Sequence, residues 1–540
     1  MATKFIVVIG ALMSGMGKGI VTASMLQMLD FYGYSALPVK FDGYLNYDCG
    51  TMNPYRHGEV FVLDDKSEVD MDFGIYERFL NKNLTGDLSI TGGKLFSGII
   101  EKERRGGFLG EDVQIIPHLT GEILSRIRGI AEDKKPDVLI IEVGGTVGDI
   151  ENSYFIEAMR ELSLEDKVTF VALTYLPYID VVGEQKTKPT QIAFRGIMNA
   201  GIKPTFLICR SDNALQDKTK EKLSLFTNIK KEYIIDDSTQ SILYGITPHF
   251  MKMGFDHMLL KELELDASNF SVHKFDRLNQ VVTQMKPSDK KLNIAIVGKY
   301  VGLMDAYTSV REALTHAGAQ HGYNINISWV ESENIENVQN PKEILDKFDG
   351  ILVPGGFGKR GIEGMIKAIE FARNEKRPYL GICLGMQLMA IEFARNVCGM
   401  PESNSTEFEP DVENKIIYTM PSQRRGTYKG GTMRLGAWEC IIKDRESIAY
   451  RAYKNESISE RHRHRYEFNN KYMELMTSRG LKISALSKEE GLVEIIEWNN
   501  SFGIGTQAHP ELKSRPSAPA PLFLSFVEAA IKMKNHDQNL

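Results

Sequence analysis

Gly381-Ile382-Cys383-Leu384-Gly385 has the form Gly-x-nucleophile-x-Gly. Small residues on both sides of the cysteine suit a sharp strand-to-helix turn that exposes the central side chain. An apolar run at 378–382 precedes the sulfur, and a helical pattern from Leu384 to about Asn396 follows it. Backbone dipoles at such a helix N-terminus favour a thiolate. A thiolate nucleophile needs a base and a third group that orients the base. Gln507-Ala508-His509-Pro510-Glu511 offers both, after strand patterns at 492–498 and 502–506. In an extended segment His509 and Glu511, two positions apart, share a face. The oxyanion of an acyl transfer needs backbone N–H donors. The amide of Leu384 and the run Val353-Pro354-Gly355-Gly356-Phe357-Gly358 are the expected sources. Cys383, His509 and Glu511 in this order point to a Cys hydrolase or acyl-transfer domain. Cys49, Cys209, Cys398 and Cys440 read as small buried hydrophobes.

The front half offers phosphate chemistry. Gly10-Ala11-Leu12-Met13-Ser14-Gly15-Met16-Gly17-Lys18-Gly19-Ile20 follows an apolar strand pattern. A Gly-rich turn lets successive backbone N–H groups face a phosphate, and the following helix adds its positive N-terminus. Lys18 can then reach the terminal phosphates. The P-loop pattern is incomplete: Leu12 stands where it has Gly, and Gly19 where it has Ser or Thr. A ligand-free turn is the alternative. Without that hydroxyl, Mg²⁺ needs carboxylates. The paired acids Asp70 and Asp72 are one source, and Glu142 at a strand's C-terminal end is another. A second polar cluster, Gly183-Glu184-Gln185-Lys186-Thr187-Lys188-Pro189-Thr190-Gln191, suits another polyphosphate, or is an exposed connecting loop. The dense basic run Arg461-His462-Arg463-His464-Arg465-Tyr466 admits three readings: a nucleic-acid patch, a carboxylate clamp, or a solvated surface run.

Two sets of elements must position these groups. Phe5-Ile6-Val7-Val8-Ile9-Gly10 and Leu292-Asn293-Ile294-Ala295-Ile296-Val297-Gly298 open the two halves as short apolar runs ending in Gly, the pattern of strands buried on both faces. Further runs at 136–142, 168–173 and 204–210 alternate with helical patterns, and 350–354 and 377–382 repeat this in the second half. The fold class expected is α/β: a P-loop-type doubly wound parallel sheet followed by a second α/β domain. A polar stretch near 266–291, ending in Pro287-Ser288-Asp289-Lys290-Lys291, marks the boundary. The division expected is 1–267, a linker at 268–290, and 291–540.

The chain has 540 residues, 42% apolar and 25% charged. That excludes a mostly disordered chain, a collagen and a coiled-coil rod. Lys plus Arg is 65 against 71 Asp plus Glu, a net charge of −6, which argues against a nucleic-acid coat. Five cysteines with no C-x-x-C pair argue against a disulfide framework or zinc site and for a reducing compartment. No apolar run approaches the ~18 residues of a membrane span, and Met1-Ala2-Thr3-Lys4 enters a strand pattern at once, unlike a signal peptide. The expectation is a cytoplasmic chain with no membrane and no nucleic-acid partner.

The chain resembles the CTP synthases along essentially its whole length. The motifs that carry the resemblance are Ser14-Gly15-Met16-Gly17-Lys18-Gly19-Ile20, Gly50-Thr51-Met52-Asn53-Pro54, His57-Gly58-Glu59-Val60-Phe61-Val62, Lys186 to Gln191, Gly381 to Gln387 and Arg461 to Tyr466. The second half is similar to class I glutamine amidotransferase domains, the first to the synthetase (amidoligase) domain of CTP synthases. The resemblance implies that ATP with Mg²⁺ phosphorylates O4 of UTP. Glutamine is hydrolysed through a thioester on Cys383, and ammonia passes inside the protein and displaces phosphate to give CTP, the last step of de novo pyrimidine nucleotide synthesis. It assigns ATP to Gly15, Met16, Gly17, Lys18, Gly19, Ile20 and Asp72, with adenine near Ser238, Thr239 and Gln240, a segment that departs from the family's usual sequence. Mg²⁺ falls to Asp72 and Glu142. UTP, or CTP as inhibitor, falls to Ser14, Asp149, Ile150, Glu151, Lys186, Thr187, Lys188, Pro189, Thr190, Gln191 and Lys222. Glutamine falls to Gly356, Leu384, Gly385, Met386, Gln387, Glu407 and Arg465. The resemblance implies a homotetramer activated by GTP, leaves open whether filaments form, and places Arg360 and Arg434 on the GTP side. Two alternatives stay open: another glutamine-dependent synthetase sharing only the rear domain, and a non-enzymatic P-loop switch or scaffold.

Overall fold

A computed structural model describes residues 2–181, 183–299, 301–419 and 432–537. The chain divides into two compact units, one of Met1–Cys49 with Ile75–Thr283, the other of Gly50–Gly74 with Gln284–Leu540.

The first unit is built on seven strands: β1 (Lys4–Gly10), β2 (Ala36–Asp42), β3 (Ser89–Thr91), β4 (Val138–Val143), β5 (Val168–Tyr175), β6 (Phe206–Ser211) and β7 (Ile234–Ser238). They lie in the order β7-β6-β5-β1-β4-β2-β3, and every neighbouring pair is parallel. Near-continuous Val/Ile/Leu runs give this arrangement, because both faces of a parallel sheet are covered. All six residues of β4 are buried. Helices α1 (Lys18–Phe31), α2 (Ser153–Glu165) and α3 (Lys188–Asn199) are among the crossover elements.

The polar stretch after residue 266 is not an open connection. It carries a helix, α4 (Val272–Gln284), which buries Leu278 and Val281. Phe275 packs edge-on against Phe31 at 5.9 Å, and Lys274 Nζ donates to the Asp30 carboxylate at 2.8 Å. A narrow apolar stripe in a polar sequence is what hid this element.

The main sheet of the second unit has nine strands: β8 (Lys291–Gly298), β9 (Asn324–Glu331), β10 (Gly350–Val353), β11 (Tyr379–Ile382), β12 (Arg434–Ile442), β13 (Ser457–His464), β14 (Leu481–Ser487), β15 (Val493–Trp498) and β16 (Gly503–Thr506). Their order is β9-β8-β10-β11-β16-β15-β14-β12-β13. The first five are parallel, and the remaining pairs are antiparallel. Alternate residues divide between two cores. Ala295, Val297, Ile351, Val353 and Tyr379 join one with helices α5 (Ile362–Asn374) and α6 (Leu384–Asn396). Ile294, Ile296, Leu352, Leu380 and Ile382 join the other with α7 (Pro521–Asp537). The strand period of two thus covers both faces, the doubly wound arrangement. Among the described residues no helix is long and apolar enough to cross a membrane.

Candidate active sites

Cys383 occupies the turn between β11 and α6 with φ 51° and ψ −99°. A non-glycine residue at positive φ is strained, and the flanking structure over-determines it: Cys383 N–H donates to Thr506 O at 2.7 Å, and Gln387 N–H to Cys383 O at 3.1 Å. The turn thus carries the sulfur at a helix N-terminus, as the Gly-x-Cys-x-Gly pattern predicts. His509 and Glu511 are brought together differently from the expectation. The segment is not extended, because Pro510 starts a 3-10 turn over Pro510–Lys513. That turn still aims Glu511 at the ring, with His509 Nδ1 and Glu511 Oε1 2.7 Å apart.

Cys383, His509, Glu511, Gly355 and Gly356 line one cavity, together with Pro54, Glu59, Val60 and Arg463. Burial alone would lower the basicity of the His509 imidazole, but the negative charges of Glu511 and Cys383 outweigh it and push its pKa up to about 10. His509 therefore favours its imidazolium form. Gly355 has to be glycine. A Cβ there would lie 2.9 Å from His509 Cε1 and 3.7 Å from both His509 Nε2 and Cys383 Cβ. Gly355→Ala is expected to displace the imidazole and cut glutamine hydrolysis by about 10²-fold, as ångström-scale misplacement does. Unchanged turnover in a steady-state glutaminase assay would remove this steric role.

The residues assigned to glutamine lie around the same turn, but not all present side chains. Leu384 and Met386 point into the core, leaving only their backbone groups for a ligand. Gly385 packs against β10, where a Cβ would meet Val353 O at 2.2 Å. Gln387 is buried, and its amide nitrogen donates to Tyr466 O at 3.0 Å and Gln507 Oε1 at 3.2 Å. Burial pushes the Glu407 carboxyl up, opposed by the Gly358 N–H bonded to it at 2.7 Å and by the Lys299 charge. Arg465 donates to Thr432 Oγ1 at 2.8 Å.

The basic run overturns two of its three readings. It lies on β13 and just beyond it, and Arg461, His462 and His464 are buried, so it is neither a solvated face nor a nucleic-acid patch. It clamps carboxylates of this chain. Arg461 Nε is 2.7 Å from Asp64 Oδ1, and Arg463 Nε is 2.8 Å from Glu68 Oε1. The same segment, Gly50–Gly74, supplies Pro54, Glu59 and Val60 to the cavity. Arg434 is also buried, with Nη1 2.6 Å from Glu494 Oε1 and 3.6 Å from Glu467 Oε1, so it does not face a solvent-borne nucleotide as the resemblance suggests. Arg360, half-exposed, pairs with Glu331 and Glu333.

In the first unit several candidate residues follow the C-terminal ends of the parallel strands, where ligands of open α/β sheets bind. Gly17 stands at φ 89°, a conformation that favours glycine, and leads straight into α1. Lys18 is buried and its Nζ donates to Gly145 O at 2.7 Å, across from the loop after β4. Gly15, Met16, Gly19 and Ile20 surround this turn. Glu142, at the end of β4, is held by Lys40 Nζ at 3.0 Å and Tyr76 OH at 2.5 Å. Lys40 Nζ also lies 3.7 Å from Asp42 Oδ1. The hard carboxylate oxygens of these buried acids suit Mg²⁺. Asp72 falls in the segment Gly50–Gly74 of the second unit, where it begins a helix, Asp72–Leu80, with its N–H on Asp70 Oδ1 at 2.9 Å.

Asp149 accepts from Thr146 N–H and Oγ1 at 2.7 and 2.9 Å, which orders the loop that carries exposed Ile150 and Glu151. The cluster at 183–191 is more than a connecting loop. Thr187 precedes α3, Pro189 sits in its first turn, and Thr190 and Gln191 are buried, with Gln191 Nε2 on Thr187 Oγ1 at 3.0 Å. Lys186 contacts Glu184, while Lys188 and Lys222 are exposed. Ser238 ends β7 and Thr239 and Gln240 follow it, with Thr239 N–H on Ser211 O at 3.1 Å. Ser14 lies in the turn after β1.

Residues 4–265 match the family model "CTP synthase N-terminus", and residues 302–529 match "Glutamine amidotransferase class-I". Fold and site together define a two-part α/β ligase fed by a class I glutamine amidotransferase. A CTP synthase of Caldanaerobacter subterraneus subsp. tengcongensis is 46% identical over 535 residues, covering 98% of this chain and 99% of the relative. One from Carboxydothermus hydrogenoformans is 47% identical over 534 residues, covering 98% and 99%, and one from Pyrococcus furiosus is 46% identical over 537, covering 98% of each. The chain belongs to the CTP synthase family. It is a glutamine-hydrolysing ligase that uses ATP to aminate UTP at C4, giving CTP.

Proposed function

We propose the following division of labour, with residues 1–267 and the helix Val272–Gln284 that packs on them as the synthetase part and 291–540 as the amidotransferase domain. The observation that carries it is the Cys383 turn opening on the same cavity as the His509–Glu511 pair. The Cys383 thiolate attacks the side-chain carbonyl carbon of glutamine. The resulting oxyanion is met by the Leu384 N–H and the Gly355-Gly356 backbone. His509, protonated at rest, gives its proton to the departing nitrogen, and ammonia leaves. His509 then takes a proton from water as the thioester hydrolyses to glutamate. Gly356, Leu384, Gly385, Met386, Gln387, Glu407 and Arg465 form the glutamine pocket, the apolar members through their backbones.

In the synthetase domain Gly15, Met16, Gly17, Lys18, Gly19 and Ile20 cradle the ATP phosphates, and Ser238, Thr239 and Gln240 meet adenine. Asp72 and Glu142 would hold Mg²⁺, which when bound neutralises charge on the phosphates being transferred. Ser14, Asp149, Ile150, Glu151, Lys186, Thr187, Lys188, Pro189, Thr190, Gln191 and Lys222 bind UTP, and CTP as inhibitor. UTP O4 takes the γ-phosphoryl group, ADP leaves, ammonia adds to C4 and phosphate departs. Phosphorylation makes the 4-oxygen a good leaving group. A closed path keeps ammonia unprotonated and nucleophilic. GTP as activator, a homotetramer and a cytoplasmic location complete the proposal.

Rapid quenching with glutamine, followed by peptide mass spectrometry, is expected to find a glutamyl adduct on the Cys383 peptide. An adduct on another cysteine would overturn the assignment. Glu511→Gln removes the charge that keeps His509 protonated, and glutamine hydrolysis is expected to fall roughly 10²-fold or more. The linkage has a definite sign. His509 has its pKa raised from 6.5 to about 10, so its contribution to stability is complete below 6.5 and is lost as pH rises through about 10. Denaturant titrations should therefore separate wild type from Glu511→Gln most below pH 6.5, with the gap closing toward pH 10. A gap that widens with pH would contradict this linkage.

A further inference from the structure

Gln507 lies two residues before His509, is fully buried, and does more than fill space. Its side-chain Nε2 donates to Cys383 Sγ at 3.6 Å. Its Oε1 accepts from Gln387 Nε2 at 3.2 Å, and Gln387 Nε2 also donates to Tyr466 O at 3.0 Å. The Gln507 backbone is fixed as well, its N–H donating to Glu494 O at 2.8 Å. Gln387 presents only N–H groups to its neighbour here, so Gln507 must offer its oxygen to Gln387 and its NH₂ to the sulfur. The amide orientation is thereby determined by the network rather than free to flip.

From this geometry we infer that Gln507 is the neutral donor that holds and stabilises the Cys383 thiolate, with Gln387 as its positioning partner. The inference rests on the proposed nucleophilic role of Cys383. A buried thiolate is poorly solvated, and an N–H donated to it replaces lost water. Being neutral, the Gln507 amide gives this support without adding a charge that would compete with His509 for the sulfur. It also restricts Sγ to one direction, which matters at a residue whose backbone is already strained at φ 51°. Arg463 O, 3.9 Å from Sγ, only accepts, so it favours the thiol rather than the thiolate.

Two substitutions separate this electrostatic role from a structural one. Gln507→Leu keeps much of the volume and removes the donor. Gln507→Glu keeps the shape but offers only acceptors when ionised. The experiment follows iodoacetamide alkylation of the Cys383 peptide as a function of pH in the full-length protein, with glutamine-driven and ammonia-driven CTP formation measured alongside. The alkylation midpoint is expected to move up by about one pH unit in Gln507→Leu and further in Gln507→Glu, the size of one charge-assisted hydrogen bond. Glutamine-driven kcat should fall at least about 10-fold in both, while ammonia-driven synthesis stays at the wild-type level and reports intact folding. Wild-type alkylation profiles in both variants would overturn the inference, and so would equal shifts in Leu and Glu, which mark a packing role. If alkylating Cys383 in the wild type left glutamine hydrolysis intact, the nucleophile assignment itself would fall and the inference with it.

Discussion

Cys383→Ala is expected to abolish glutamine-driven CTP formation, by more than about 10³-fold, while leaving ammonia-driven formation near the wild-type rate. The size follows from chemistry that nothing else in the cavity supplies. His509 and Glu511 handle protons, and Arg463 reaches the cavity wall while ion-paired to Glu68. Without the sulfur no thioester forms. The sparing of the ammonia reaction follows from where Cys383 sits. It belongs wholly to the second unit, between β11 and α6, whereas the phosphate turn and the strand-end acid Glu142 belong to the first. A paired assay with glutamine and with ammonium chloride measures both effects. Loss of both activities in a folded variant would contradict the division of labour.

Lys18→Ala is expected to lower CTP formation from both nitrogen sources by roughly 10²–10³-fold, the range for removing one preorganised charge-stabilising donor. Glutamine hydrolysis through Cys383 does not need that ammonium, so thioester formation should persist. Lys18 is buried and bonded to Gly145 O, which fixes its ammonium beside the Gly15–Gly17 turn. Losing it costs both the charge and the tie between the turn and the loop after β4. An unimpaired Lys18→Ala enzyme would remove the phosphate-cradle role.

Much of this arrangement was legible in the residue pattern, for identifiable reasons. The buried strands announced themselves because a two-sided sheet needs unbroken apolar runs, as in Val138–Val143. The cysteine turn was legible because a nucleophile at positive φ needs small neighbours on both sides. The mode by which His509 meets Glu511 was not, since a proline-started 3-10 turn and an extended strand can both bring two residues, two apart, to one side. The basic run misled for a different reason. Burial of Arg461 depends on Asp64, a carboxylate 397 positions away in sequence, and no local pattern carries that pairing. Arg434 was hidden in the same way by Glu467 and Glu494. Gln507 stood in plain view inside the His-Pro-Glu motif, but its link to the sulfur exists only once β16 lies beside β11.

The account's central claim is that nitrogen freed from glutamine at Cys383 is the nitrogen installed on UTP. Glutamine labelled with ¹⁵N in its side-chain amide, supplied with ATP, UTP and an excess of unlabelled ammonium near pH 7, tests it by mass spectrometry of the CTP formed. The account predicts that the 4-amino group carries mostly ¹⁵N, because ammonia delivered within the protein is used before it mixes with the largely protonated external pool. CTP carrying the unlabelled nitrogen in proportion to the external ammonium would contradict it.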